Sequence, residues 1–249
     1  EIVVEAGSNG RGAAKGVRLK GGERIDADLV VSNADAAWTY QKLVAPEHRT
    51  HWTDARLERA DYSMSLFVWY FGTKKQYPDV AHHTLVLGPR YRGLLEDIFE
   101  HKVLADDFSL YLHRPTATDP SLAPKGCDAF YVLSPVPHLD ADVDWSTRVE
   151  SYRAAIERTL EQALLPGLSD AIDVSRTLTP MGFREDYLSL KGAAFSFEPT
   201  LAQSAFFRPH NRSEDVDHLF LVGAGTHPGA GLPGVLSTAR VLDALVPSP

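Results

Sequence analysis

The sequence predicts a mixed α/β (α+β) fold in which pieces of one domain flank an inserted second one. Three observations carry this. The chain opens on a β-meander, its middle is strand-rich with one long amphipathic helix, and it closes on a short apolar strand that runs through five glycines into a helix. At 249 residues the chain is near the upper limit for a single core and is also compatible with two smaller ones. Its 44% hydrophobic and 23% charged content is ordinary for a globular protein.

In order, Ile2-Val3-Val4 is the first strand, and Gly7-Ser8-Asn9-Gly10-Arg11-Gly12 supplies turn chemistry. Val17-Arg18-Leu19 alternates, Gly21-Gly22 turns, and residues 25–31 read as one strand running into Ser32-Asn33. A helix is expected from there to about Leu43, capped by Asn33. Residues 65–71 are apolar on both faces, as expected of a covered strand. Strands follow at 83–87, 108–113 and 129–133, with a short helix at 91–100 and Pro115, Pro120, Pro124, Pro135 and Pro137 in the loops. Residues 145–165 form the amphipathic helix, with Val149, Tyr152, Ile156, Leu160 and Ala163 on its apolar face and Pro166-Gly167 ending it. A strand at 172–178, an irregular aromatic segment at 193–211, a strand at 219–222 and a helix from about Gly234 to Leu245 complete the chain.

Composition excludes several functions. With a net charge of −8 and no Lys/Arg block, charge-driven binding of nucleic acid is not expected. The single cysteine, Cys127, allows no internal disulfide and no multi-cysteine zinc site, and reads as a buried, inert thiol. No stretch approaches the roughly 18 uninterrupted apolar residues of a spanning helix, and no signal peptide is read. No metal site is expected: His82 and His83 are adjacent, and neighbours on a strand point to opposite faces. Residue 1 is Glu and lies within a strand pattern, so the chain is expected to be cut from a longer parent.

The strongest local signal is Leu221-Val222-Gly223-Ala224-Gly225-Thr226-His227-Pro228-Gly229-Ala230-Gly231-Leu232-Pro233-Gly234-Val235. Glycines let backbone approach a ligand closely, and free N–H groups at a helix start attract an anionic or electron-accepting group. The spacing is not G-x-G-x-x-G, so the residues alone leave two readings open, cofactor contact or a plain strand-to-helix turn.

The run VGAGTHPGAGLPGV at 222–235 closely resembles the C-terminal flavin-binding signature of bacterial-type phytoene desaturases, carotenoid desaturases among the amine-oxidase-like FAD flavoproteins. Matching segments lie upstream in the same order: ADLVVSNAD at 27–35, SLFVWYFG at 65–72, AHHTLVLGPRYRGLLEDIF at 81–99, DFSLYLHRPTATDPSLAPKGCDAFYVLSPVPHL at 107–139, and AAFSFEPTLAQSAFFRPHN at 193–211. Together they cover nearly the whole chain. The resemblance implies a discontinuous FAD-binding Rossmann-like domain, here incomplete, with an inserted substrate domain of antiparallel sheet and helices. Residues 1–45 and 213–249 would belong to the first and 46–212 to the second. It also implies that the N-terminal segment of the parent carries the missing G-x-G-x-x-G.

By the same resemblance, Gly223, Ala224, Gly225 and Thr226 lie in the turn that meets the ribityl-pyrophosphate region. Gly231, Leu232, Pro233, Gly234 and Val235 form the helix start near the isoalloxazine ring, and Ser32 and Asn33 the strand end near the cofactor. The implied reaction is desaturation of phytoene toward lycopene, with FAD accepting hydride. A hydrocarbon substrate offers no polar handle, so an apolar tunnel is required, and Phe67, Trp69, Phe71, Phe130, Phe197 and Phe207 are among the candidate linings. His227 is the first acid–base candidate, against a role in fixing the turn. Glu198 and Arg208 are the others, against structural ion pairing. The resemblance further implies a cytoplasmic enzyme attached peripherally to a membrane surface. Sibling enzymes (another carotenoid desaturase, an oxygenase or an isomerase) and a non-catalytic apolar-ligand-binding fragment remain the alternatives. Retention of flavin separates the last of these from the rest.

Overall fold

The structure is a computed structural model and describes residues 1–7 and 10–246. The expected turn at 7–12 therefore includes two residues, Ser8 and Asn9, that lie outside the described set. The strands are β1 (Ile2–Ala6), β2 (Gly12–Arg18), β3 (Arg24–Asp26), β4 (Val30–Ser32), β5 (Ser65–Thr73), β6 (His83–Val86), β7 (Leu110–His113), β8 (Asp128–Val136), β9 (Ile172–Leu178) and β10 (Leu219–Leu221). The helices are α1 (Ala36–Trp38), α2 (Asp54–Arg59), α3 (Tyr91–Glu96), α4 (Trp145–Ala163), α5 (Leu168–Ala171), α6 (Pro180–Glu185) and α7 (Leu232–Leu245). Wider π turns extend α1 through Thr39–Leu43 and α3 through Asp97–His101. No described helix is long and apolar enough to cross a membrane.

The chain forms two compact units, Glu1–Ser63 with Arg184–Pro249, and Met64–Phe183. These boundaries differ from the expected 46–212 insert. Residues 46–63 and 184–212 belong with the termini because Trp52, Leu57, Tyr62, Ala193 and Phe197 share one apolar core with Ala36, Tyr40 and Leu221. The Asp215 carboxylate reinforces this by accepting the backbone N–H groups of Thr50 (2.8 Å) and Trp52 (2.8 Å).

In the first unit, β1, β2 and β3 form an antiparallel meander, and β4 pairs in parallel with β10. The single strand expected at 25–31 is thus two strands of two sheets. β3 is exposed throughout, whereas β4 buries Val30 and Ser32. The helix cap also differs from expectation. Asp35, not Asn33, accepts the Trp38 N–H at 2.9 Å.

The second unit is a five-stranded antiparallel sheet in the order β6-β7-β8-β5-β9. β5 lies between β8 and β9 in the sheet, and its consecutive residues from Ser65 to Trp69 are buried, as a strand covered on both faces requires. Phe67, Trp69, Phe71 and Phe130 pack with Tyr152, Ile156 and Leu160 of α4. Fully burying one such side chain contributes about 1.5–3 kcal/mol. Phe67, Trp69 and, in the first unit, Phe197 are 2% exposed or less and serve as core, whereas Phe71 and Phe130 belong to the core and also line an apolar groove on the sheet. On α4, Ala163 is exposed, and Leu165 beyond the helix end is buried instead. Pro135, expected in a loop, sits in β8 opposite Leu66. β7 pairs with β8 only over Tyr131–Leu133, so Pro135 lies where β8 has one neighbour and no second ladder to break.

Candidate cofactor site

The glycine turn is held at its base by the parallel pair of strands. Val222 N–H donates to the Ser32 carbonyl at 3.0 Å, and Gly223 N–H to Thr238 Oγ1 of α7 at 3.1 Å. Gly223 has φ +110°, a conformation that favours glycine, and an added Cβ would meet Asn33 Oδ1 at 3.1 Å. At Gly225 the reason is space. A Cβ there would lie 2.7 Å from Ser196 Oγ and 2.9 Å from Ala36 Cβ. Thr226 is buried, and its hydroxyl donates to the Gly223 carbonyl at 3.0 Å. The buried Asn211 side chain donates to the Leu221 carbonyl at 3.1 Å. His227 N–H donates to the Pro209 carbonyl at 3.0 Å, and a cis bond joins His227 to Pro228.

Beyond His227 the turn opens. Gly231, at φ +91°, precedes α7, and nothing stands within 4 Å of where its Cβ would be. α7 has no side-chain cap and no acidic residue in its first turn. Its first intrahelical bond runs from Val235 N–H to the Gly231 carbonyl at 2.8 Å. Helix geometry leaves the Leu232 and Gly234 N–H groups without an intrahelical acceptor, and Pro233 has none to offer. Gly231, Leu232 and Pro233 are exposed, and Gly234 and Val235 half-buried. Gly234 is tight on its other side, since a Cβ would meet the Gly229 carbonyl oxygen at 2.5 Å.

The structure redistributes the roles expected of individual residues. Ser32 and Thr226 are committed within the protein. Ser32 Oγ shares a hydrogen bond with Thr39 Oγ1 at 2.7 Å, and its carbonyl accepts Val222 N–H. Asn33 is exposed beside Gly223 and keeps its side chain available. Arg208 is 3% exposed, and its guanidinium donates to the carbonyls of Ala224 (3.0 Å) and Phe197 (3.1 Å). It is therefore a strut under the turn, not an acid–base group. Burial pulls its pKa down from the usual arginine value, against the nearby Asp35 charge. Glu198 does not join the turn: its hydrogen-bond partners among the described residues are Asp61, Thr200 and Gln203. Burial, and then the Asp61 charge, hold its carboxyl above the usual range. His227 stays in the turn, half-buried, with Nδ1 shut from solvent and without a hydrogen-bond partner among the described residues.

Sequence reasoning missed Asp35, Thr238 and Ser196. Burial raises the Asp35 carboxyl above the usual range, while the Ser196 hydroxyl and the Trp38 N–H pull the other way. The Asp-x-x-Trp spacing of a cap was the available signal for Asp35. Nothing local marked Ser196 or Thr238.

In the second unit, an apolar groove of about 490 Å³ opens on the sheet, lined by Tyr70, Gly72, Leu122, Pro124, Cys127 and Val174 among others. Cys127 is thus half-exposed on a groove rather than buried.

A strand–turn–helix with an uncapped helix start on a parallel strand pair leaves backbone donors where an anionic group can be received. The chain belongs to the flavin containing amine oxidoreductase family, whose model matches residues 3–241. FAD is the cofactor that this membership implies. The chain is 55% identical to the phytoene desaturase (neurosporene-forming) of Cereibacter sphaeroides, over 99% of this chain and 48% of that protein. It is 50% identical to the phytoene desaturase (lycopene-forming) of Pseudescherichia vulneris, over 92% and 47%. It is 40% identical to a 4,4'-diapophytoene desaturase of Methylomonas, over 94% and 46%. The chain spans about half the length of these curated relatives. Among solved structures, an oxidoreductase from Methanosarcina mazei superposes with a TM-score of 0.58 at 18% identity, over 98% of this chain and 48% of that one, which shows a shared mixed α/β fold.

Proposed function

We propose that this chain is the C-terminal portion of an FAD-dependent phytoene desaturase, with FAD held across the turn at Gly223–Val235. The observation that carries the reading is the unfilled start of α7: two N–H groups without an intrahelical acceptor, no side-chain cap, no acid in the first turn, and an open Gly231. The orphaned Nδ1 of His227, buried in the same turn, fits a polar group of the cofactor as well. Relatives at 50–55% identity are phytoene desaturases, and from them the substrate is inferred.

When bound, FAD supplies the acceptor for a hydride from the saturated carbon pair of phytoene. The chain's own residues prepare that step. The N–H groups of Leu232 and Gly234 and the dipole of α7 favour negative charge beside the helix start. Arg208 fixes the Ala224 carbonyl, and Thr226 and Thr238 fix Gly223, so the turn is rigid before any ligand arrives. Gly223, Gly225, Gly231 and Gly234 let backbone come close, and Asn33 adds a side-chain donor at the strand end. Of the three acid–base candidates, His227 alone sits in the turn, and we assign it the proton of the neighbouring carbon. In this reading the unit formed by residues 1–63 and 184–249 completes a discontinuous Rossmann-like FAD domain with an N-terminal segment of the parent protein. The apolar groove of the second unit offers wall to a hydrocarbon. Exposed Leu201, Phe206 and Phe207 support peripheral contact of a cytoplasmic protein with the membrane that dissolves phytoene.

The test is conversion of phytoene in liposomes by the full-length protein supplied with FAD, followed by polyene absorbance. New long-wavelength bands are expected. FAD binding without reaction of phytoene, but with reaction of another carotenoid, would move the assignment to a sibling enzyme.

A further inference from the structure

The expectation that His82 and His83 diverge fails for a geometric reason. His82 precedes β6, so strand alternation does not separate the pair, and their rings lie 4.3 Å apart. His83 is the cross-strand partner of His113 on β7, with the two rings nearly parallel at 5.2 Å. His82 Nε2 meets His113 Nε2 at 2.6 Å. One nitrogen from each of the three rings falls within 4.8 Å of the others.

We propose that His82, His83 and His113 bind a late first-row divalent transition metal, for which Zn²⁺ is the probe. Three imidazole ligands suit Zn²⁺ and its neighbours rather than Mg²⁺ or Ca²⁺. Two of the rings are oriented from behind, as metal-binding histidines are. His83 Nδ1 bonds the Tyr111 hydroxyl at 2.6 Å, and His82 Nδ1 bonds the Thr118 hydroxyl, leaving each Nε2 for the cluster. The third ring has capacity left over, because His113 Nδ1 is buried without a hydrogen-bond partner among the described residues. The nearby cation is already neutralised: Arg114 Nε bonds Asp128 Oδ2 at 2.9 Å. Around an ion with Zn–N bonds of about 2.0–2.1 Å, tetrahedral ligands stand about 3.3 Å apart, so the close His82–His113 pair parts by less than an ångström. The ion ties the segment before β6 to β7 and so clamps the edge of the sheet, independently of the flavin reading.

The test is calorimetric titration of the untagged full-length protein with Zn²⁺. One ion per chain is expected, bound more weakly as pH falls through the histidine range. His83→Ala removes an exposed ligand without disturbing the core, and is expected to weaken binding at least tenfold. Tyr111→Phe keeps all three ligands and is expected to weaken it by about 10- to 100-fold through lost orientation. Absence of Zn²⁺ binding, or binding unchanged in His83→Ala and in a His82→Ala/His113→Gln variant, would overturn the proposal.

Discussion

α4 and α7 are both long, regular helices, yet they begin in opposite ways. α4 starts under Asp144, whose carboxylate accepts the Ser146 N–H at 3.0 Å, and buries Trp145, Tyr152, Ile156 and Leu160 against the sheet. α7 starts from Gly231 with no cap and buries only Thr238 among its described residues, while Leu232 is 78% exposed. The first helix start is completed by its own sequence and serves the fold. The second leaves its donors open and its first turn bare, which is what a ligand-binding end requires. A ligand-binding helix end is thus marked by backbone groups that the protein itself does not satisfy.

The largest break in that contrast comes from Gly234→Ala. Its Cβ would collide with the Gly229 carbonyl oxygen, a backbone atom that moves only with the whole turn. FAD affinity should fall by about a hundredfold, equivalent to about 2.7 kcal/mol, while the second unit melts as before. Arg208→Met comes next. It leaves the Ala224 and Phe197 carbonyls unpaired in a buried place, costing about 1–3 kcal/mol of stability. It weakens FAD binding through the turn without changing the pH profile of turnover. His227→Gln should change that profile, and this separates a proton carrier from a strut.

On the other side of the comparison, Asp144→Ala should lower stability by about 1 kcal/mol in chemical denaturation and leave FAD binding untouched. Glu198→Gln is the smallest effect. A carboxyl whose folded-state pKa is raised stabilises the fold at acid pH, and that contribution is lost as pH rises through the raised value. The variant should therefore be slightly more stable than the parent near neutrality, with no gain below the ordinary carboxylate range.

Much of this architecture was legible because it rests on local rules. β5 read as a doubly covered strand, and α4 showed its apolar face and its stop. The glycine turn announced itself by composition. What the sequence hid depends on distant partners. The break between β3 and β4 follows from β4 pairing with β10, nearly 190 residues away. Phe67 and Trp69 looked like tunnel wall until α4 covered them. Thr226 looked like a ligand contact, but Asn211 and Gly223 hold it inside. The histidine cluster was invisible because it needs the register of β6 against β7.

Leu232→Asp places an acid at the open start of α7 and probes cofactor binding there most directly. The side chain is exposed, so packing is unaffected, and an acid in the first turn stabilises a helix by about 0.3–1 kcal/mol. Titration of the full-length protein with FAD, followed by flavin fluorescence, should show affinity reduced about tenfold, with the melting temperature unchanged or raised. Unchanged FAD affinity in this variant would contradict the placement of the cofactor at α7.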